Sequence, residues 1–284
     1  MITGSCLCGE VAWQISGALE LMSHCHCSMC RKSHGAAFGT YAGAKAEVFR
    51  WLRGEDRIVR YESSPGFERP FCSRCGSVVA GDPHDGQVFM PVGCLDGDPG
   101  ARPLAHIFVA SRAPWHAIAD DLPRFDAYPP GYGAPELGDD SRRRSEPGIA
   151  RGSCLCGAVR FEAEGEAPAI VDCHCSRCRK ARSAAHGSNL IAPRAGFRWI
   201  SGESQLREFR VAEAKRYGNR FCATCGSSLP RELVESDRVA IPAGTLDGDP
   251  GGRERIHIFV GSKAPWYEIA DDLPQFDEYP PGAS

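Results

Sequence analysis

Fourteen of the fifteen cysteines in this chain fall into three short patterns, and each pattern is written twice. GSCLCG at residues 4–9 returns at 152–157, CHCSMCRK at 25–32 returns as CHCSRCRK at 173–180, and FCSRCGS at 71–77 returns as FCATCGS at 221–227. Each copy thus carries a C-x-C, a C-x-C-x-x-C and a C-x-x-C-G. The remaining cysteine, Cys94, has Thr245 as its counterpart and reads as a buried apolar thiol.

Seven sulfurs per copy divide into four and three. A structural zinc is closed by four thiolates in a tetrahedron, whereas a reactive zinc keeps three protein ligands and one open position. In C-x-x-C-G the two sulfurs converge in a tight turn that the following glycine permits. The opening C-x-C can complete that set, because residues i and i+2 of an extended chain point the same way. One closed site is therefore expected on Cys6, Cys8, Cys72 and Cys75, and its repeat on Cys154, Cys156, Cys222 and Cys225. The triple pattern holds three sulfurs within six residues, so Cys25, Cys27 and Cys30, and again Cys173, Cys175 and Cys178, are expected to hold a metal by themselves. A histidine or aspartate from elsewhere remains open as a fourth ligand. Iron–sulfur clusters match less well, since they usually take four cysteines per cluster. A thioredoxin-like pair would need a βαβ setting that is absent.

Three thiolates make a zinc ion a weak Lewis acid, poorly suited to generating hydroxide, but leave it able to accept a further soft ligand. An incoming thiol held as thiolate near neutral pH can add to an aldehyde carbonyl. The expected chemistry is thiol capture followed by carbon–sulfur bond formation, or the reverse, with the two triple-cysteine sets as the reactive centres.

The elements that must position these sulfurs repeat as well. LDGDPG (95–100 and 246–251), HIFVASRAPW (106–115) against HIFVGSKAPW (257–266), and DDLPRFDAYPPG (120–131) against DDLPQFDEYPPG (271–282) complete a tandem duplication in unchanged order. The expected organisation is a first module over 1–130, a Gly-, Pro- and charge-rich linker over 131–150 that includes Arg142, Arg143 and Arg144, and a second module over 151–284. Alternation at Val11, Trp13 and Ile15, and at Val159, Phe161 and Ala163, predicts strands. Residues 49–63 and 197–211 each predict two strands around a Gly-Glu turn, and HIFV predicts another. Helix is expected only for a turn or two after each CHCSxCRK and after each APW. The fold class is mainly β with a few short helical turns.

Composition closes off several classes. Hydrophobic residues at 42% and charged residues at 24% suit a chain with a buried core. No stretch approaches the roughly 20 apolar residues of a membrane span, and the start MITGSCLCGEV lacks the basic and apolar regions of an export signal. A cytoplasmic protein is expected, which disfavours disulfides for so many cysteines. The net charge of −3 speaks against nucleic acid, more so once four zinc ions on fourteen thiolates bring it to about −9.

Around the triple patterns, Arg31, Lys32, Arg179 and Lys180 either face solvent or meet the carboxylates of a thiol peptide. His26 and His174, between ligand cysteines, are expected to turn away from the metal. His24 is matched by Asp172 and His34 by Arg182, so neither is needed by both copies. His106, His257, Trp115 and Trp266 read as structural residues. LDGDPG lacks the further acidic positions of a calcium loop and reads as an Asp-stabilised turn.

GSCLCG, CHCSxCRK, FCxxCGS and LDGDPG resemble the glutathione-dependent formaldehyde-activating enzyme family, which also includes centromere protein V. The resemblance covers nearly all of both copies. It implies a β-tent fold, a closed zinc site on the C-x-C and C-x-x-C, a second zinc on the triple pattern, and condensation of glutathione with formaldehyde to S-(hydroxymethyl)glutathione. The partners it implies are a small thiol and an aldehyde. The family pattern is a single module; for this duplicated chain, two modules packed side by side within a monomer are expected. The first copy keeps ESSPGFERPFC (62–72) before its second cysteine pair, and the second has AEAKRYGNRFC (212–222). If one copy has lost its substrate, the second is expected to be that copy. The competing readings are a non-catalytic zinc-stabilised binding module and a thiol-based redox sensor.

Overall fold

A computed structural model describes residues 1–131, 148–165 and 169–282. The linker expected over 131–150, with its arginine run, lies almost wholly outside the described residues. The fold is mainly β. Two seven-residue α-helices, α1 (Ser28–His34) and α2 (Ser176–Arg182), are accompanied by short 3-10 turns.

In the first copy, Phe49–Arg53, Ala12–Ile15, Ile2–Ser5 and Leu95–Asp96 form one sheet in that order, and His106–Ile107, Glu20–Cys25, Gly39–Lys45 and Gln87–Pro91 form another. The hairpin of Ile58–Ser64 and Phe67–Cys72 carries the C-x-x-C pair at its end. The second copy repeats the plan, with Ile149–Ser153, Arg160–Glu164 and Phe197–Ser201 in one sheet. Its second sheet has grown to six strands, reaching from Arg231–Glu232 to Gln275–Phe276. The expected alternation appears as the strands Ala12–Ile15 and Arg160–Glu164, with Val11, Trp13, Ile15, Val159, Phe161 and Ala163 all buried.

One expectation is corrected. No helix follows APW; the segment makes a single turn closed by the His116 N–H donating to the Ala113 carbonyl at 3.1 Å. The chain beyond it takes no helical turn, and Asp120 reaches His106 at 2.9 Å and accepts from the Leu122 N–H. A helix there would withdraw the carboxylate from that buried imidazole.

The two copies share one core. Trp13, Met90 and Trp115 of the first copy and Phe161, Leu190 and Trp266 of the second belong to a single contiguous cluster of buried side chains. Contacts across the seam come in matched pairs. Lys32 is bonded to Ser153 and Asp247, and Lys180 to Asp96. The 3-10 turn Val92–Cys94 packs on the end of α2, and its repeat Ala243–Thr245 packs on α1. Between them lies a polar interior: His116 pairs with Glu254 at 2.9 Å, the ring of Phe38 meets that of His186, and the ring of His24 meets that of Tyr267.

Candidate metal centres

Both glycines of GSCLCG have a geometric reason. A Cβ on Gly4 would lie 2.5 Å from the Trp13 ring, so the strand can sit on that indole only without one. Gly9, at φ +74°, makes the left-handed turn after which the chain returns, with Gly9 N–H donating to the Cys6 carbonyl and Cys6 N–H to the Val11 carbonyl, each at 3.0 Å. The turn leaves Cys6 and Cys8 facing the end of the hairpin, where Gly76 closes a second turn by donating to the Cys72 carbonyl.

The four sulfurs thereby converge. Cys6 and Cys8 Sγ are 3.4 Å apart, and Cys8 and Cys72 are 3.7 Å apart; in the second copy the corresponding values are 3.4 and 3.8 Å. A tetrahedron with Zn–S bonds of about 2.3 Å sets its sulfurs about 3.8 Å apart, so the donor set fits zinc. The surroundings fit a set of anionic sulfurs too. The Val11 N–H donates to Cys6, and Ser77 lies 3.4 Å from Cys75 while accepting from the Leu7 N–H. Without a cation the sulfurs compete for protons. Hydrogen bonds to Cys72, Cys75 and Cys8 drive the Cys6 thiol far up, and those to Cys6, Cys72 and Cys8 hold Cys75 far down. A divalent ion removes that conflict by replacing the protons.

The triple patterns also close on themselves. The sulfurs of Cys25, Cys27 and Cys30, and those of Cys173, Cys175 and Cys178, lie within 4.8 Å of one another. Among the described residues no histidine nitrogen or carboxylate oxygen joins either set. The helices explain the geometry: Cys27 and Cys175 are the N-caps of α1 and α2, each accepting from the N–H three residues on at 3.3 Å. Cys27 is pushed up to about 12: its hydrogen bond with Cys25 opposes this, but the bond with Cys30 and burial outweigh it. Cys30 is held well below the usual thiol range, first by Cys25 and Cys27 and further by the Arg69 charge.

His26 and His174 turn inward. His26 Nε2 lies 2.8 Å from His106 Nδ1, whose other nitrogen meets Asp120, and His174, His257 and Asp271 repeat the chain at 2.9 and 3.1 Å. Burial holds the His26 and His106 imidazoles below their ordinary value and pushes His174 down to about 2. Trp115 and Trp266 are core residues.

Of the cations expected beside the thiolates, Lys32 and Lys180 are engaged elsewhere, on the aspartates of the other copy's LDGDPG. Arg31 is 3% exposed, and its carbonyl faces Gly244 across the seam. Arg179 is partly buried, and burial lowers its pKa. The guanidinium that does reach a triple-cysteine sulfur was not expected: Arg69 Nη1 lies 3.6 Å from Cys30 Sγ, with Nε donating to Ser63 at 3.0 Å. Its position is Asn219 in the second copy, within the stretch where the copies diverge, and that divergence is the one signal the sequence offered. Tyr41 also packs on the first cluster, its hydroxyl 2.8 Å from His34 Nε2.

A duplicated mainly β chain in which each copy pairs a four-cysteine with a three-cysteine donor set has the donor sets of a tandem thiolate metal-binding protein. The glutathione-dependent formaldehyde-activating enzyme profile matches residues 1–111 and 149–262, and the chain belongs to that family. A Halomonas elongata protein, provisionally called a glutathione-dependent formaldehyde-activating enzyme, is 32% identical over 132 residues, which cover 43% of this chain and 81% of that protein. A Rhodobacter sphaeroides protein of known crystal structure aligns with 34% of this chain and 86% of its own at 23% identity and a TM-score of 0.30. Among the described residues no helix is long and apolar enough to cross a membrane.

Proposed function

We propose that the chain is a zinc-dependent enzyme of the carbon–sulfur lyase type that acts on a thiol–aldehyde adduct, joining glutathione and formaldehyde as S-(hydroxymethyl)glutathione or releasing them. The observation that carries this reading is the pair of three-sulfur clusters with no fourth donor from the described chain. Cys25, Cys27 and Cys30, and their repeats Cys173, Cys175 and Cys178, would each hold one zinc, and the four-cysteine sets one more apiece, giving four per chain. Zinc at a three-sulfur set supplies a soft acceptor position that favours the thiolate form of a substrate thiol near neutral pH.

The chain's own residues prepare the rest. Arg69, almost wholly buried, offsets the negative charge that gathers on the sulfurs beside Cys30. Tyr41, kept protonated by burial and by the Cys30 charge, places a neutral hydroxyl next to the first cluster, its proton directed to His34 Nε2. The buried sulfurs of Cys25, Cys27 and Cys30 restrict water at the first centre. The reaction balances without oxidant or reductant: the thiol loses its proton, sulfur bonds to the carbonyl carbon, and the carbonyl oxygen gains a proton.

The test is exchange spectroscopy with 13C-formaldehyde and glutathione, reading the rate above the uncatalysed background. Wild-type chain is expected to accelerate exchange, and the double variant Cys27→Ser/Cys175→Ser to return it to background with the fold intact by circular dichroism. Exchange by the double variant at the wild-type rate overturns the assignment of the three-sulfur clusters.

A further inference from the structure

The divergent stretch of the second copy builds something the first copy lacks. Beside the Cys173, Cys175 and Cys178 cluster lies an open cleft of about 190 Å³. Tyr217 is its common wall: the ring packs on the buried group containing Cys173 and Cys178 and also lines the cleft. Arg231 covers that ring, its guanidinium carbon 5.5 Å from the centroid.

The cleft is positively charged. Three glutamates line it, each already matched by arginine: Arg194 with Glu232, Arg216 with Glu235, and both Arg210 and Arg220 with Glu208. Lys215 and Arg231 have no carboxylate partner among the described residues. In the first copy the aligned positions of Lys215, Arg216, Arg220 and Arg231 are Pro65, Gly66, Pro70 and Gly81, and Tyr217 is replaced by Phe67, which is 51% exposed. Each cluster has a buried guanidinium nearby, Arg69 in the first copy and Arg182 in the second, but the residues at position 69 and its repeat differ. Arg69 delivers its charge to Cys30, whereas Asn219 turns across the seam to the Cys75 carbonyl at 2.9 Å. Access differs as well, since Cys175 is partly exposed while Cys25, Cys27 and Cys30 are all buried.

Building on the thiol-capture reading above, we infer that the two three-cysteine sites are specialised by charge: the second admits an anionic thiol whose carboxylates dock on Lys215 and Arg231, and the first, which has Pro65 and Gly81 at those two positions, gains no affinity from substrate carboxylates. The lost SSPG then marks a changed recognition surface in the second copy rather than a dead site. Two cations without a carboxylate partner, in a cleft whose arginines already outnumber its glutamates, attract an anion over a range that salt screens, within about 10 Å at 0.1 M ionic strength.

Calorimetric titration of the full zinc-loaded chain tests this with each site isolated, using Cys27→Ser to leave the second and Cys175→Ser to leave the first. In Cys27→Ser, glutathione is expected to bind about tenfold tighter than its dimethyl ester. That advantage should shrink with added salt and vanish in Lys215→Glu/Arg231→Glu, with the fold of the variant checked by circular dichroism. In Cys175→Ser the thiol and its ester should bind alike. Equal preference at both sites, or an advantage that survives the charge reversals, overturns the specialisation while leaving thiol capture standing. Absence of any thiol binding at either site overturns both.

Discussion

Lys180 Nζ lies 2.7 Å from Asp96 Oδ1, tying the helix that carries Cys178 to the LDGDPG turn of the other copy. Lys32 and Asp247 make the same tie in reverse. In each case the lysine stands two residues after the last cysteine of a triple pattern, so the fastening of one copy to the other is built into the cysteine-bearing helix. The two ties differ in burial: the side chains of Lys32 and Asp247 are 11% and 32% exposed, those of Lys180 and Asp96 22% and 46%. Lys32→Met is therefore expected to cost about 1–3 kcal/mol, because it leaves Asp247 and Ser153 short of a partner. Lys180→Met should cost about 1 kcal/mol or less. Urea denaturation of the holo chain reads the difference, and equal costs would refute the burial argument.

Close backbone approach makes a second, independent prediction. A Cβ on Gly93 would fall 2.1 Å from the Ala184 nitrogen, and one on Gly244 2.3 Å from the Arg31 carbonyl oxygen. Those atoms are backbone of the other copy and cannot swing aside. Gly93→Ala and Gly244→Ala should each destabilise by about 1–3 kcal/mol or more. Gly81→Ala, whose new methyl would meet nothing nearer than 3.5 Å, should stay within about 0.5 kcal/mol of wild type. Thermal melts of the three variants provide the check.

These seam contacts mark the limit of what the sequence disclosed. The strands around Trp13 and Phe161 and the four-and-three division of the sulfurs were legible because alternation and spacing are local properties. A helical turn next to each triple pattern was legible too, but it was expected after the pattern, whereas the helices start inside it, at Cys27 and Cys175. The role of Lys32 was not legible, since its partner Asp247 is 215 residues away and a basic residue after a cysteine motif looks the same whether it meets a ligand or a distant turn. Arg69 was hidden for a related reason. It meets Cys30 across 39 residues of sequence, a tertiary contact that local spacing does not show. The missing helix after APW shows tertiary demand prevailing over a weak local signal, with Asp120 drawn out to His106.

Metal removal should separate the two kinds of site. The four-cysteine set joins segments 64 residues apart, Cys8 to Cys72, whereas the triple set lies on one loop and the start of one helix. Closing a long loop contributes more to stability than closing a short one. Cys75→Ser is thus expected to lower the melting temperature well below that of Cys27→Ser and to reduce soluble yield, since a missing structural ligand removes several kcal/mol of folding free energy. Elemental analysis should fall from about four zinc per chain to about three in either variant. Equal melting temperatures for the two variants would remove the distinction between closed and reactive sites.

The buried pair of His186 and Asp172 yields a prediction for pH. Nδ1 and Oδ1 are 3.1 Å apart, with side chains 3% and 2% exposed. Burial alone would raise the Asp172 carboxyl, but the His186 charge and hydrogen bonds from His186 and Ser188 hold it below its ordinary 3.8. Burial would lower His186, but Asp172, with smaller contributions from Glu254 and Asp271, raises it above 6.5. A raised histidine stabilises the fold fully below its unfolded value and loses that contribution as pH rises through the folded one, while a depressed carboxyl contributes above its unfolded value and loses it as pH falls through the folded one. The pair therefore stabilises most between about pH 4 and 6.5. His186→Gln, which leaves Asp172 buried without its cation, should cost about 3–5 kcal/mol at pH 5.5. The gap between wild type and variant should narrow toward pH 8.5, as the wild-type imidazole loses its proton. Denaturation at the two pH values measures that gap directly, with the zinc-dependent part of the pH response common to both proteins; a gap that stays constant, or widens with pH, would show that the pair is not charged in the folded chain.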